Sequence, residues 1–273
     1  MEQPAKNLSK FRKLLDRFIV LKRLIFFAAV LFVGIAIYRF LVTTVLLNQN
    51  FTIGVVLLWF FTAYLVLPRA HRLLTKIYLP DYFIGRTRTG DGILGDPINL
   101  AYLGTKKDLE KAMKNAGWIE ADELNWRSTY NMIKASVLRR SYPNAPFSSL
   151  FLFGRKQTLG FQQEVDGSTK ERHHVRFWKT PKGWYLPGGF KADYLGAATY
   201  DRAVGVSLYT FQITHKIEEN IDIERDYVLE TVLAYNSNAS VDIVENFTAG
   251  YHTRNGGGDT IKTDGNLPFL TIK

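Results

Sequence analysis

The chain has 273 residues, a formal net charge of +10 and no cysteine. The absence of cysteine excludes a disulfide scaffold, a zinc–thiolate site and a thiol nucleophile. The charge is unevenly distributed: residues 1–68 contain eight Lys and Arg against two acidic residues, whereas the remainder contains 27 against 23. A nucleic-acid-binding domain would concentrate positive charge on its folded part, so we expect no nucleic acid partner.

Residues 1–23 form a basic leader. Its seven Lys and Arg residues are interspersed with apolar residues at roughly helical spacing. This pattern predicts an amphipathic helix on the membrane surface, with anionic lipid headgroups as its partners. A solvated leader without that helix is the alternative interpretation.

Residues 24–67 are the most apolar part of the chain. A run at 24–47 carries one charge, Arg39, and an uncharged run follows at 51–67 after Asn48-Gln49-Asn50. At 1.5 Å per residue, each run forms a helix of about 25–35 Å, enough to cross a hydrocarbon core. We therefore predict a transmembrane hairpin of two helices. The Arg39 side chain should extend toward the headgroups; a functional charge within the membrane is the alternative.

Positive residues flank the predicted hairpin at both of its ends. The basic leader precedes the first run, and Arg69, Arg72 and Lys76 follow the second. Because cytoplasmic flanks carry an excess of Lys and Arg, we expect a two-pass protein of the cell membrane with both termini in the cytoplasm. Its expected partners are the lipid bilayer, anionic headgroups and other membrane proteins.

Residues 68–97 connect the hairpin to the rest of the chain. The pattern at 71–79 predicts a short amphipathic helix ended by Pro80. Residues 85–97 contain four glycines together with Arg86 and Arg88. The backbone N–H groups and the two guanidinium groups of such a loop could bind an anion. A structural loop packed on the domain is the alternative, because the Lys-Ser/Thr of a nucleotide P-loop is missing.

Residues 98–273 are predicted to form a soluble α+β domain with a mostly antiparallel sheet and two main helices. Thr105 and Asp222 are the predicted caps of these helices, and residues 131–140 are compatible with either a helix or a strand. The remaining segments have strand-like patterns: 98–103, 147–153, 158–164, 173–178, 184–186, 194–201 and 211–215, with a final hairpin from 241–251 and 260–262. Many strands with two separated helices favour the α+β class.

Histidines and carboxylates supply the candidate chemistry. In a strand, His173 and His174 point to opposite faces of the sheet. Either one, with His215 and with Asp201 or Asp222, would provide two histidines and a carboxylate for a divalent transition metal that activates water. In the alternative interpretation these histidines bind structural neighbours and Asp222 is only a helix cap.

An acid–base site is a further interpretation of the same residues. His215 could act as a general base oriented by Asp201, while Arg176 holds an anionic substrate. We nominate no nucleophilic serine, because the chain contains no Gly-x-Ser-x-Gly motif.

Several motifs of the predicted domain occur in a specific order between residues 86 and 232. They are Gly95-Asp-Pro-Ile-Asn99, Gly104, Ala116-Gly-Trp118, Pro146, Phe151-Leu-Phe-Gly-Arg155, Arg172-His-His-Val-Arg-Phe-Trp178, Gly196-Ala-Ala-Thr-Tyr-Asp201, Thr214-His215 and Asp222-Ile-Glu-Arg225. In these motifs and their order the chain resembles the LssY-like C-terminal domain family, which is named for a component of a type I secretion locus. The resemblance implies that the His/Asp cluster belongs to the family pattern, and it implies no role for any single residue. The lipid phosphatase signature of some longer members is missing here, so their chemistry is not implied.

These observations favour two functions. The first is a membrane-anchored cytoplasmic domain that serves an envelope or secretion/transport-associated process by binding. The alternative is a membrane-tethered, metal-dependent hydrolase that uses the His/Asp cluster. Peripheral lipid binding through the basic leader is a third interpretation.

Overall fold

The computed structural model describes residues 28, 31–32, 34–36, 38–40, 42–43, 51–78, 83–122, 128, 142, 144, 146, 148–165, 171–248 and 253–272. The chain divides into two compact units, Met1–Leu67 and Pro68–Lys273. The predicted amphipathic leader at 1–23 and the ambiguous segment at 131–140 lie outside the described residues.

The second apolar run belongs to one continuous helix. This helix consists of α1 (Phe51–Phe61), a π-helical turn (Thr62–Val66) and α2 (Leu67–Tyr78). Its stretch Phe51–Thr75, 25 residues, is long and apolar enough to cross a membrane. The predicted separate helix at 71–79 is therefore the end of this longer helix.

The π-helical turn explains how the helix continues through Pro68. A proline lacks the backbone N–H, and its ring crowds the carbonyl one turn earlier in a regular α-helix. Here the N–H of Leu67 reaches back to the carbonyl of Thr62, one residue further than in an α-helix. The wider turn loosens the backbone just before the proline, so the helix does not end there.

The first apolar run is described only in part. Its described residues between 28 and 43 are all helical. Among the residues that the structure describes, one helix is long and apolar enough to cross a membrane, and it is the one at 51–75. The first helix of the predicted hairpin therefore stays a prediction.

The domain that follows α2 is a mixed α+β structure. Its described residues form fourteen strands and two further helices, in this order: β1 (Arg86–Thr89), β2 (Leu94–Pro97), β3 (Leu100–Leu103), α3 (Lys106–Asn115), β4 (Ile119–Glu120), β5 (Leu150–Leu152), β6 (Arg155–Lys156), β7 (Leu159–Glu164), β8 (Arg172–Lys179), β9 (Tyr194–Val206), β10 (Ile213–Ile217), α4 (Ile221–Tyr235), β11 (Ala239–Val244), β12 (Thr253–Arg254), β13 (Thr260–Ile261) and β14 (Leu267–Ile272). This composition confirms the predicted α+β class.

Eight strands form the main sheet. Seven follow the order β11-β14-β3-β9-β8-β7-β4, and β10 pairs with the far end of the long strand β9. Only the β14–β3 pairing is parallel among these described strands. A small antiparallel sheet has the order β2-β1-β5-β6. The prediction of a mostly antiparallel sheet is therefore confirmed.

The main sheet is covered on both faces. On one face α3 and α4 pack against Phe161, Val175 and Phe177 in the larger hydrophobic core. On the other face Trp178 and Leu195 belong to a second core that includes β5 of the small sheet. The alternation of side chains along each strand supplies both cores at once.

One of the two predicted helix caps is confirmed. The hydroxyl of Thr105 accepts a hydrogen bond from the N–H of Asp108 at the start of α3. The predicted cap at Asp222 is wrong, because Asn220 caps α4 and Asp222 lies in its first turn. The carboxylate of Asp222 instead accepts hydrogen bonds from Thr263 and Asp264, which lie far away in the sequence.

Two predicted strand assignments are corrected. Strand β11 pairs with β14 along its whole length, whereas residues 260–261 pair with 253–254 in a separate two-stranded hairpin. The segment 184–186 is not a strand: Trp184 packs against Phe83 and Phe153, with ring centroids 5.1 and 4.8 Å away. A segment rich in aromatic residues resembles a strand, but here Trp184 packs a loop against the core.

The buried side chain of Asn99 links strand β9 to helix α4. Its amide donates to the carbonyls of Ala198 and Ile221, and its oxygen accepts the N–H of Ala198. We expect Asn99→Ala to lower the free energy of unfolding by roughly 2–4 kcal/mol, because buried backbone groups lose their partners. Urea unfolding of the full chain in detergent micelles, followed by tryptophan fluorescence, measures this.

The matched control for that variant is Ser240→Ala, at an exposed position on β11. It should change the free energy of unfolding by no more than about 0.5 kcal/mol. An equal loss in both variants would contradict the role assigned to Asn99.

Candidate functional site

Strand β8 presents histidines to both faces of the main sheet, as predicted. His173 faces α4, where its Nδ1 lies 2.7 Å from the carboxylate of Glu224. His174 faces the opposite side, where its Nε2 lies 2.7 Å from the carboxylate of Asp201. The sheet therefore separates the two neighbouring histidines into different environments.

Asp201 is the centre of a His–Asp–His cluster. Its Oδ2 lies 2.7 Å from Nε2 of His174 and 3.2 Å from Nδ1 of His215. Asp201 and His174 are almost fully buried, whereas the side chain of His215 is 45% exposed. These three residues come from the adjacent strands β8, β9 and β10, so the cluster is assembled by strand pairing.

The surroundings of this cluster shift the pKa of two of its members. Burial by itself raises the pKa of Asp201, but attraction to His174, His215 and Arg176 outweighs burial and lowers the pKa overall. Burial lowers the pKa of His215, and the attraction of Asp201 offsets this only in part. Asp201 is therefore a carboxylate, and His215 is neutral at pH 7.

These charge states favour one tautomer of His215. A carboxylate only accepts hydrogen bonds, so the tautomer with the proton on Nδ1 is the one that points a donor at Asp201, 3.2 Å away. The Nε2 atom then has a free lone pair on a partly exposed ring. This is the arrangement expected of a general base that a carboxylate orients.

Two arginines line the same face of β8 as His174. Arg176 lies 3.2 Å from Asp96 of β2, and Arg172 lies 3.0 Å from Glu164 of β7. Both guanidinium groups are buried. The Arg176 guanidinium is paired with Asp96 inside the protein and adds positive charge near Asp201. Its predicted role in holding an anionic substrate stays a prediction.

His173 belongs to a separate structural arrangement on the helix-facing side. Its ring stacks on Tyr227 at a centroid distance of 4.0 Å and contacts Tyr200 at 4.8 Å. Burial raises the pKa of its partner Glu224, and the hydrogen bond with His173 reduces that rise. His173 thus follows the alternative interpretation, in which a histidine binds structural neighbours.

Asp222 lies outside the His–Asp–His cluster. Besides the loop at 263–264, it contacts Arg225 at 3.1 Å, and Arg225 in turn binds both carboxylate oxygens of Asp264. This network attaches the loop before β14 to the start of α4. Burial raises the pKa of Asp222, which the hydrogen bonds and Arg225 counteract only in part.

The predicted anion-binding residues lie on β1. Arg86 is buried and donates to the backbone carbonyls of Gly95 and Arg254. Arg88 is half-buried and pairs with Leu94 in the β1–β2 hairpin. The glycine-rich segment is therefore a hairpin in which Arg86 binds backbone carbonyls, and anion binding by Arg86 and Arg88 stays a prediction.

The metal prediction finds no support in the part of the chain that the structure describes. Within it, no group of three or more His, Asp or Glu side chains is arranged to hold a metal ion. In the His–Asp–His cluster the nitrogens of His174 and His215 bind the carboxylate of Asp201 directly. His174 is hydrogen-bonded to the carboxylate and His215 lies within ion-pair distance of it.

Sequence reasoning missed several members of these two sites. The alternation that separates the histidines also places Arg172 on the same face as His174 and Arg176. Arg172 could therefore have been identified from the sequence. Asp96, Glu224 and Tyr227 come from other elements, and no local pattern marks them as partners of β8.

The comparison with protein families identifies the domain. The family model described as LssY C-terminus matches residues 76–267. The chain belongs to the LssY C-terminus family. The match includes α3, α4, the His–Asp–His cluster and the Asp222–Arg225 network. No curated protein and no solved structure matches the chain.

The pKa of Asp201 predicts how this LssY domain responds to acid. A carboxyl group whose pKa is lower in the folded than in the unfolded protein stabilises the fold above the unfolded value of about 3.9, and this stabilisation is lost as the pH falls through the folded pKa. We therefore expect the stability difference between the wild type and Asp201→Asn to shrink below about pH 4. Chemical denaturation of the full chain in micelles over a pH series measures it.

Asp242→Asn, at an exposed position on β11, is the matched control. Its stability should follow that of the wild type at every pH. A difference between wild type and Asp201→Asn that is the same from neutral to strongly acidic pH would contradict the prediction.

Proposed function

We propose that this member of the LssY C-terminus family is a membrane-anchored protein whose domain faces the cytoplasm. There it serves an envelope or secretion/transport-associated process by binding. One observation carries the proposal: the stretch suited to crossing a membrane, Phe51–Thr75, belongs to a helix that continues to Tyr78, and the family match begins within that helix at residue 76. The domain is therefore attached directly to an apolar helix.

The exposed residues of α1 suit a helix that is surrounded by lipid. Phe51, Val56 and Leu57 point in different directions around the helix, and each exposes more than half of its side-chain surface. Exposed apolar residues on all sides of a helix suit the hydrocarbon core of a bilayer. Arg69 and Arg72 follow in α2, and such cations favour the cytoplasmic side.

The His–Asp–His cluster supports binding as the mode of action. His215 is far more exposed than Asp201 and His174, to which the cluster connects it. A partly exposed side chain held by buried partners is suited to recognising a ligand. Membrane proteins and anionic lipid headgroups are the proposed partners.

Anchoring and orientation can be tested separately in one variant. Since the chain has no cysteine, Ile243→Cys on the exposed surface of β11 introduces a unique thiol. We expect the full chain to stay with the membrane in alkaline carbonate and the thiol to react with an impermeant reagent only after the cells are opened.

The two readouts identify different errors. Release by carbonate would contradict the anchor. Labelling in intact cells, with the chain retained in the membrane, would contradict only the cytoplasmic placement. The cysteine-free chain is the labelling control.

A second candidate function is a membrane-tethered hydrolase. The observation in its favour is the contact between Nδ1 of His215 and the buried carboxylate of Asp201, which leaves Nε2 available as a general base. This contact supports acid–base catalysis through His215 as the form of that activity.

This candidate predicts the titration of His215. Its pKa should lie below 6.5, and Asp201→Asn should lower it further, because the carboxylate favours the protonated ring. Histidine NMR of the full chain in micelles measures the pKa, with His215→Gln used to assign the signal. Asp242→Asn should leave it unchanged. A pKa that rises in Asp201→Asn would contradict the arrangement.

A further inference from the structure

The end of β9, the following turn and β10 form an exposed arm, residues 202–216. Ile213 pairs with Val206, and His215 pairs with Val204. Directly paired residues and alternate residues of a strand share one face, so these four side chains lie on the same face of the arm. Val204, Val206 and Ile213 are 48%, 52% and 61% exposed.

The turn at the tip of the arm continues this apolar surface. Leu208, Tyr209 and Phe211 are all exposed. Residues 203–215 contain no Lys, Arg, Asp or Glu, although 22% of the chain is charged. Exposed strands in water normally carry charges that prevent association. The uncharged apolar stretch between Arg202 and Lys216 therefore indicates a surface that contacts something other than water.

Hydrogen bonds hold the tip despite this exposure. The hydroxyl of Ser207 accepts hydrogen bonds from the N–H groups of Tyr209 and Thr210 and donates to the carbonyl of Gly256. Phe211 has a φ of 55°, a left-handed conformation that is rare for an aromatic residue. Such strain concentrates at sites of function. The structure thus holds a strained, exposed aromatic residue at the tip.

Packing connects the tip to the loop between β12 and β13. The N–H of Leu208 donates to the carbonyl of Gly257. A side chain at Gly258 would collide with Leu208, and one at Gly256 would collide with Thr89 of β1. The glycine loop therefore lies between the arm and the β1–β2 hairpin.

The β1–β2 hairpin in turn packs against α2. A side chain at Gly92, in the hairpin turn, would collide with Thr75, and Asp91 lies 3.9 Å from Arg72. Two short loops thus connect the tip of the arm to Thr75 of α2. The exposed apolar arm lies at the end of the domain against which α2 packs.

We propose that the arm is a second membrane contact, in which its apolar face and the Leu208, Tyr209 and Phe211 tip enter the interface of the bilayer that α1 crosses. This proposal rests on the proposed anchoring. Tyrosine and phenylalanine suit the boundary between headgroups and acyl chains. His215 shares the apolar face, so the contact also places the exposed member of the His–Asp–His cluster at the headgroups.

Spin labels on single cysteines test the contact in the full chain. Phe211→Cys is labelled with a nitroxide and the protein is reconstituted into vesicles of phosphatidylcholine and phosphatidylglycerol. Collisions with oxygen, which concentrates in lipid, are compared with collisions with a water-soluble nickel complex. We expect oxygen to dominate at residue 211 and the nickel complex to dominate at Ile243→Cys, an equally apolar exposed site on β11. Nickel dominance at both sites would overturn the proposal.

A third label separates this proposal from the anchoring on which it rests. Val56→Cys in α1 should be in lipid. If the label at residue 56 lies in lipid and the label at residue 211 lies in water, the arm contact is overturned and the anchor stands. If the label at residue 56 lies in water, the anchor itself is contradicted. Spin–spin broadening between 211 labels of neighbouring copies, without oxygen dominance, would assign the arm to self-association and overturn the membrane contact.

A charged residue on the same face provides an independent variant. Val206→Asp is combined with the label at Phe211→Cys, and the fold is checked by tryptophan fluorescence. We expect oxygen collisions at residue 211 to fall to the value at residue 243. Unchanged oxygen collisions in a folded protein would contradict insertion of this face.

Discussion

The buried carboxylate of Asp201 is the constraint on which the site depends. A charge inside a protein is costly unless opposite charges and hydrogen-bond donors surround it. His174 and His215 supply these donors from the strands on either side of Asp201. Arg176 adds positive charge nearby and is itself paired with Asp96. Three strands of the main sheet must therefore be in register for the carboxylate to be tolerated.

Strand β8 divides the polar residues of the LssY domain into two systems. Its odd-numbered His173 joins the helix-facing core through Glu224 and Tyr227, and its even-numbered His174 joins the Asp201 cluster. The motif at 172–178 thus serves two purposes in one strand. One half attaches α4 to the sheet, and the other half supports the exposed His215.

The exposed side of the domain connects this site with the membrane. The helix at 51–75 suits lipid, and the arm of β9 and β10 lies at the end of the domain against which α2 packs. If both contact the bilayer, the domain is held at two points, which restricts its rotation on the surface. This restriction would fix the orientation of the proposed binding surface, because His215 then faces the headgroups.

Local chemistry determined what the sequence by itself could predict: the apolar run at 51–67, the Thr105 cap, most strands, the opposite orientation of His173 and His174, and the family. These features depend on residues within a few positions of one another. Tertiary structure alone decided that β11 pairs with β14, that Asp222 binds Thr263 and Asp264, and that His174 and His215 meet at Asp201. Such contacts join residues tens of positions apart, and their partners are selected by the packing of the whole domain, which no periodicity along the chain encodes.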